Sequence, residues 1–212
     1  MYKLALNRLV LLAVCFCFSA IALAEPLLGQ QFERTGSTIN SDNPNKIEVV
    51  ELFWYGCIHC YQMEPLLEAW VNNLSKDVYF KRIPALPRPD WMPMAKAYYA
   101  MDDLGVLNKL HNRLFDAIHK QRSLQPTSET AVIDWISLQS GLDKNKVQTA
   151  FNSFSMQNRL NRATQFFRAS NATGVPSLII DGAYITSSTM AGNYEEALKT
   201  ADYLIANARA NK

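Results

Sequence analysis

Cysteine is nearly missing from this chain. Four of its 212 residues are cysteine, and two of them, Cys15 and Cys17, fall within the first seventeen. Histidine is scarcer still, at three residues. A structural zinc site takes four ligands; Cys57 and Cys60 offer two, and His111 and His119 do not stand at the spacing of a ligand pair, so the pattern speaks against a metal centre. A Lys/Arg cluster is lacking as well, with 21 basic residues against 19 acidic ones. There is therefore no electrostatic footprint for nucleic acid. Long apolar runs are confined to the start of the chain.

That start predicts an export signal. Lys3 and Arg8 precede an apolar segment from Leu9 to Ile21, and Ala22-Leu23-Ala24 has the small-x-small form of a cleavage site. The apolar stretch, about sixteen residues with Ala24 included, is shorter than the roughly twenty needed to cross a bilayer. Residues 1–24 are accordingly expected to be a signal peptide removed after Ala24. Cleavage would take the formal charge from +2 to zero and leave Cys57 and Cys60 as the only cysteines. The exported chain is expected to be soluble, in an oxidising compartment where a disulfide persists.

Residues 25–45, with Gly29, Gly36, Ser37 and Pro44, read as an irregular lead-in. "KIEVVELFWY" (46–55) is too apolar for a half-exposed strand and suits one buried on both faces. Met63, Leu66, Leu67, Trp70, Val71 and Leu74 recur at helical spacing, which predicts a helix over 58–74 bent at Pro65. "DVYFKRIP" (77–84) follows as a second strand, completing a βαβ unit. After the proline-rich "PALPRPDWMP" the pattern is helical from about 91 to 170. Thr127 or Ser128 caps one helix that Gly141 stops, and Asp143 caps the next, with Val147, Phe151 and Phe154 on its apolar face. Asp181-Gly182 between two short β runs in "PSLIIDGAYITS" (176–187) predicts a hairpin, and a last amphipathic helix covers about 193–208. Trp91, Trp135, the methionines, Phe166 and Phe167 are expected in the core of the helical segment. His111 and His119 are expected on solvated helix faces, and Trp54 and Tyr55 as packing beside the cysteines.

Cys57-Ile58-His59-Cys60 closes too small a loop to serve well as a staple, because so short a cross-link removes little entropy from the unfolded chain. A redox pair remains. Cys57 falls where a strand ends and a helix begins, so free N–H groups and the helix dipole favour its thiolate. A cysteine near pKa 8.5 needs about 2.7 kcal/mol to become mostly thiolate at neutral pH. The dipole supplies roughly 0.3 to 1 kcal/mol, at most about 2. His59 and direct N–H···S contacts are expected to supply the rest. Stabilising the thiolate makes the disulfide a stronger oxidant, and Cys60, one turn inward, is the expected buried resolving partner.

"FWYGCIHCYQMEP" followed far downstream by "TGVPSLIIDG" resembles the DsbA family of bacterial thiol oxidases. The resemblance spans nearly all of the chain after residue 24 and is most specific at Cys57-x-His59-Cys60, Tyr61-Gln62 and Gly174-Val175-Pro176. It implies an α/β thioredoxin fold formed by residues 25–86 and 170–212, with an all-helical insertion over 87–169. It implies a cis Val175–Pro176 bond facing the disulfide, with Val175 offering its backbone to an extended substrate. It also implies a glutamate, Glu51, beneath the disulfide, paired with Arg82 or alternatively Lys81, and able to exchange a proton with Cys60. Ile58 stands where the family usually has proline, which bears on oxidant strength and enlarges the apolar docking surface.

The function implied is that of a periplasmic protein-disulfide oxidoreductase. It would donate the Cys57–Cys60 disulfide to reduced exported proteins and be re-oxidised by a membrane quinone reductase of the DsbB type, with no cofactor beyond the disulfide. Two alternatives stand beside it. An isomerase or reductase is disfavoured because 25–45 is too short for a dimerisation domain, and because His59 and Val175 are not its expected residues. A non-catalytic peptide-binding chaperone would keep its activity in Cys57→Ser.

Overall fold

The computed structural model describes residues 25–212, so the expected signal peptide, with Cys15 and Cys17, lies outside the described residues. The core strand is β2 (Ile47–Phe53), all seven residues of which are buried. It runs parallel to β3 (Val78–Pro84) on one side and antiparallel to β4 (Ser177–Ile180) on the other. Strand β5 (Tyr184–Ser187) follows β4, and β1 (Phe32–Arg34) closes the far edge, giving the order β1-β5-β4-β2-β3. The lead-in thus contributes an edge strand, paired antiparallel to β5, that its three residues are too few to announce by alternation. At the β4–β5 turn Asp181 and Gly182 both take positive φ, +50° and +64°, the conformation whose twist matches a hairpin.

Helix α1 (Ile58–Asn72) crosses from β2 to β3 and continues through Pro65. After a 3-10 turn at Pro89–Trp91 come α2 (Met92–Asp103), α3 (Leu107–His119), α4 (Glu129–Ser140), α5 (Lys144–Phe151) and α6 (Phe154–Ala169). The chain then returns to β4 and β5 and ends in α7 (Ser188–Ala191) and α8 (Tyr194–Ala210). Ser128, rather than Thr127, caps α4 by accepting the Ala131 N–H, Gly141 stops it at φ +76°, and Asp143 caps α5 through the Asn145 and Lys146 N–H groups. No helix among the described residues is long and apolar enough to cross a membrane.

The two faces of β2 serve different layers, because successive side chains alternate. Ile47 and Val49 pack with Met63 and Leu67 of α1 and Leu204 and Ile205 of α8. Val50 and Leu52 face the other way, against Trp91, Phe166 and Phe167. Those three aromatics therefore cover the sheet instead of filling the helical core, as the sequence reading had it. Phe154 departs further from expectation. Helix α5 stops at Phe151, the chain restarts at Ser153, and Phe154, the first residue of α6, is 96% exposed.

Candidate active site at the start of helix α1

The turn Trp54–Cys57 delivers β2 into α1. The Cys57 N–H donates to the Trp54 carbonyl at 2.9 Å, and Cys57 takes an extended conformation as the N-cap. A side chain at Gly56 would run into the Trp54 indole, which lies stacked on Trp91 with ring centres 4.2 Å apart. Cys57 is partly exposed and Cys60 fully buried, both as free thiols. The Val175–Pro176 bond is cis, and the Val175 carbonyl oxygen lies 3.4 Å from the Cys57 sulfur. Beside the sulfur opens a groove of about 570 Å³ lined by His59, Val175, Pro176, Ser188, Met190 and Tyr194. Ile58 stands 44% exposed next to it.

The two thiols are held in opposite directions. A hydrogen bond from the Cys60 thiol, backbone N–H groups of Cys60 and His59, and the nearby imidazole bring Cys57 down to about 6, against the opposing effect of burial. The sequence reading had credited the dipole, the N–H groups and His59; the Cys60 thiol is the larger contributor. Burial, and then its role as donor to Cys57, pushes Cys60 well above the ordinary thiol value.

Beneath Cys60 lies a buried charged cluster. Register pairs Glu51 with Arg82, and the Arg82 Nε donates to Glu51 Oε2 at 2.9 Å. Lys81 points to the opposite face, where it meets Glu48 at 3.0 Å and Asp42 at 2.6 Å. Arg82 also donates to Glu64 Oε1, so one guanidinium serves two buried carboxylates. Among the described residues, Glu51 Oε1 and Glu64 Oε2 have no hydrogen-bond partner. Burial raises both carboxyls to about 7 despite Arg82, with Glu64 adding to the rise of Glu51 and Glu68 to that of Glu64. The cluster therefore retains a proton near neutral pH.

His111 completes it. Its Nδ1 is 2.6 Å from the Tyr55 hydroxyl, and its Nε2 approaches Glu64 Oε1 to 3.3 Å, off the axis of a hydrogen bond. Burial, and then Arg82, lower it to about 3, so the ring is neutral. This overturns its assignment to a solvated face. His119 is likewise held inward, its Nε2 2.7 Å from the Tyr55 carbonyl oxygen.

Comparison with known proteins decides the family. A family model described as a DSBA-like thioredoxin domain matches residues 48–199. The thiol:disulfide interchange protein DsbA of Pseudomonas aeruginosa is 37% identical over 201 residues, 94% of this chain and 94% of that protein. That of Burkholderia cepacia is 34% identical over 213 residues, covering 100% of each. The chain belongs to the DsbA family. Among solved structures, P. aeruginosa DsbA matches with a TM-score of 0.79 at 36% identity, covering 88% of this chain and 96% of that one. The oxidoreductase DsbA from Xylella fastidiosa matches at 0.82 with 29% identity, covering 88% and 100%. The fold is the thioredoxin fold of that family, and the chain is a thiol:disulfide oxidoreductase.

Glu64 and His111 escaped the sequence reading, although a signal for each was present. Cys60, Met63, Glu64 and Leu67 form the buried stripe of α1, and Leu110, His111, Leu114 and Phe115 that of α3. A polar residue standing on an apolar stripe at helical spacing is buried by position, and a buried carboxylate needs a partner.

Proposed function

We propose that this chain is an exported, periplasmic dithiol oxidase that passes its Cys57–Cys60 disulfide to reduced proteins. The observation that carries the reading is the opposition between a partly exposed Cys57 held at about 6 and a buried Cys60 held high. A substrate thiolate attacks the exposed Cys57 sulfur. The Cys57–Cys60 bond breaks, a mixed disulfide forms at Cys57, and the electron pair leaves with Cys60. The buried Cys60 thiolate takes a proton, and Glu51, in a cluster that keeps one proton near neutrality, is the donor. A second substrate thiolate then attacks the substrate sulfur of the mixed disulfide, and Cys57 departs as a stable thiolate. The substrate has lost two electrons and the enzyme disulfide has gained them.

Val175 and Pro176 border the groove where an extended substrate would lie, with Ile58 as part of the apolar rim. The active group is the cysteine pair alone, without a further cofactor. Its partners are reduced exported proteins and, for re-oxidation, a membrane quinone reductase of the DsbB type; nucleic acid is not among them.

The test is equilibration with glutathione across a range of redox ratios, alongside ultraviolet titration of the reduced protein. The expected result is a disulfide that glutathione reduces readily and a thiolate already formed at neutral pH. A thiolate midpoint at the ordinary cysteine value would overturn the reading.

A further inference from the structure

His59 is exposed, yet its ring is held. Its Nδ1 lies 3.0 Å from the hydroxyl of Tyr194, the first residue of α8, and that hydroxyl donates to Gln62 Oε1 at 2.9 Å. Tyr194 is itself placed by the cap of α8, where the Asn193 side chain accepts the Glu196 N–H at 2.8 Å. A phenol has one proton to give. Since Gln62 takes it, only an oxygen lone pair faces His59, and Nδ1 must be the donor in that contact. A neutral ring with its proton on Nε2 would set two acceptors against each other. Both the neutral ring with its proton on Nδ1 and the imidazolium satisfy the contact.

From this geometry we infer that Tyr194 is a positioning residue for the active-site imidazole: with Gln62 it fixes a proton on His59 Nδ1 and so holds the ring in one orientation beside the Cys57 sulfur. The inference rests on the oxidase reading above and adds to it a residue from the far end of the chain. Among the described residues, the Val175 carbonyl lies 3.4 Å from the Cys57 sulfur. Cys60 and His59 act from α1, and Tyr194 is the phenol that approaches from α8. Tyr194 lies near enough to both sulfurs that, after partial burial, their charge is what holds its phenol above its ordinary value. Because Tyr194 and His59 both line the groove, the contact sits where a substrate must pass.

The experiment uses Tyr194→Phe, His59→Ala and the double variant in the full mature chain, each titrated by thiolate absorbance and equilibrated with glutathione. Tyr194→Phe removes only a partly solvated hydroxyl. It is expected to raise the Cys57 midpoint by about half a pH unit, roughly threefold in the thiolate-to-thiol ratio, and to make the disulfide less oxidising by a similar factor. In the His59→Ala background the same substitution is expected to change neither. An unchanged midpoint in Tyr194→Phe overturns the inference, and so does a shift that survives in full without His59, because Tyr194 would then act on the sulfur directly. Failure of the oxidase reading looks different: the parent protein's own midpoint would sit at the ordinary cysteine value.

Discussion

Two cysteines three positions apart are held in opposite directions, and on the proposed mechanism that difference decides which sulfur is attacked and which one leaves. Absorbance titration of the reduced protein is expected to show one thiolate forming near pH 6. Because the Cys60 thiol is the largest stabiliser of that thiolate, Cys60→Ala should raise the midpoint by about one pH unit even though helix, backbone and His59 are untouched. If the midpoint stayed in place, the dipole and imidazole would be the dominant causes after all. Glu51→Gln keeps the shape of the buried site and removes its exchangeable proton. Mixed-disulfide formation is expected to slow by about 10- to 100-fold, most at neutral pH, as measured by stopped-flow with a dithiol peptide. The placement of the sulfurs was legible in the sequence, since a Cys-x-x-Cys at a strand-to-helix junction puts one cysteine at the helix N-cap and the other a turn inward. The proton chemistry was legible only in part. Glu51 stood out as a charge inside an apolar strand, whereas Glu64 and His111 acquire meaning only when β2, β3 and α1 bring both carboxylates to Arg82.

Elements place these groups through register. Lys81 and Arg82 are neighbours in β3, and pleating sends one to Glu48 and the other to Glu51, so a one-residue slip would leave two buried carboxylates unmatched. The hairpin that aligns β4 beneath the site depends on Gly182. A Cβ there would run into the Ile39 carbonyl, in a backbone at φ +64° that only glycine accepts freely. Gly182→Ala is therefore expected to cost about 2 kcal/mol or more in urea unfolding. Two phenylalanines three positions apart make the opposite contrast. Phe151→Ala should cost roughly 3 to 5 kcal/mol, and Phe154→Ala about 0.5 or less, since the first is fully buried and the second almost fully solvated. Sequence periodicity put both on one face because it carries the helix capped by Asp143 on through Phe154. The break at Asn152-Ser153 lies in cap geometry that the hydrophobic pattern does not record.

At the scale of the whole molecule, folding stabilises the Cys57 thiolate that only the reduced protein carries, and pH should reveal it. Cys57 is depressed on folding, to about 6 from an ordinary value near 9.0. An acid depressed in the folded state contributes stability that is fully present above its unfolded pKa and is lost as pH falls through its folded one. The reduced protein should thus gain stability between about pH 6 and 9. The buried carboxyls work the other way, since Glu51 and Glu64, raised on folding, favour the folded state less as pH climbs past the unfolded carboxyl value. His111, neutral by burial, removes stability below the unfolded histidine value. Those groups are present in both redox states, whereas the Cys57 thiolate exists only in the reduced one. The difference in unfolding free energy between reduced and oxidised protein therefore isolates the sulfur. Its pH-dependent part is expected to move in favour of the reduced form as pH rises, by about 2 kcal/mol between pH 5 and pH 8 once solvent screening of the partly exposed sulfur is allowed for. The four-residue loop closed by the bond favours the oxidised form by about 2 kcal/mol in the chain-entropy model, a contribution that does not vary with pH and so displaces the curve without altering its slope. Paired denaturant titrations at pH 5, 6.5 and 8 measure the difference directly, and a gap independent of pH would mean that the folded state gains nothing from a charged Cys57.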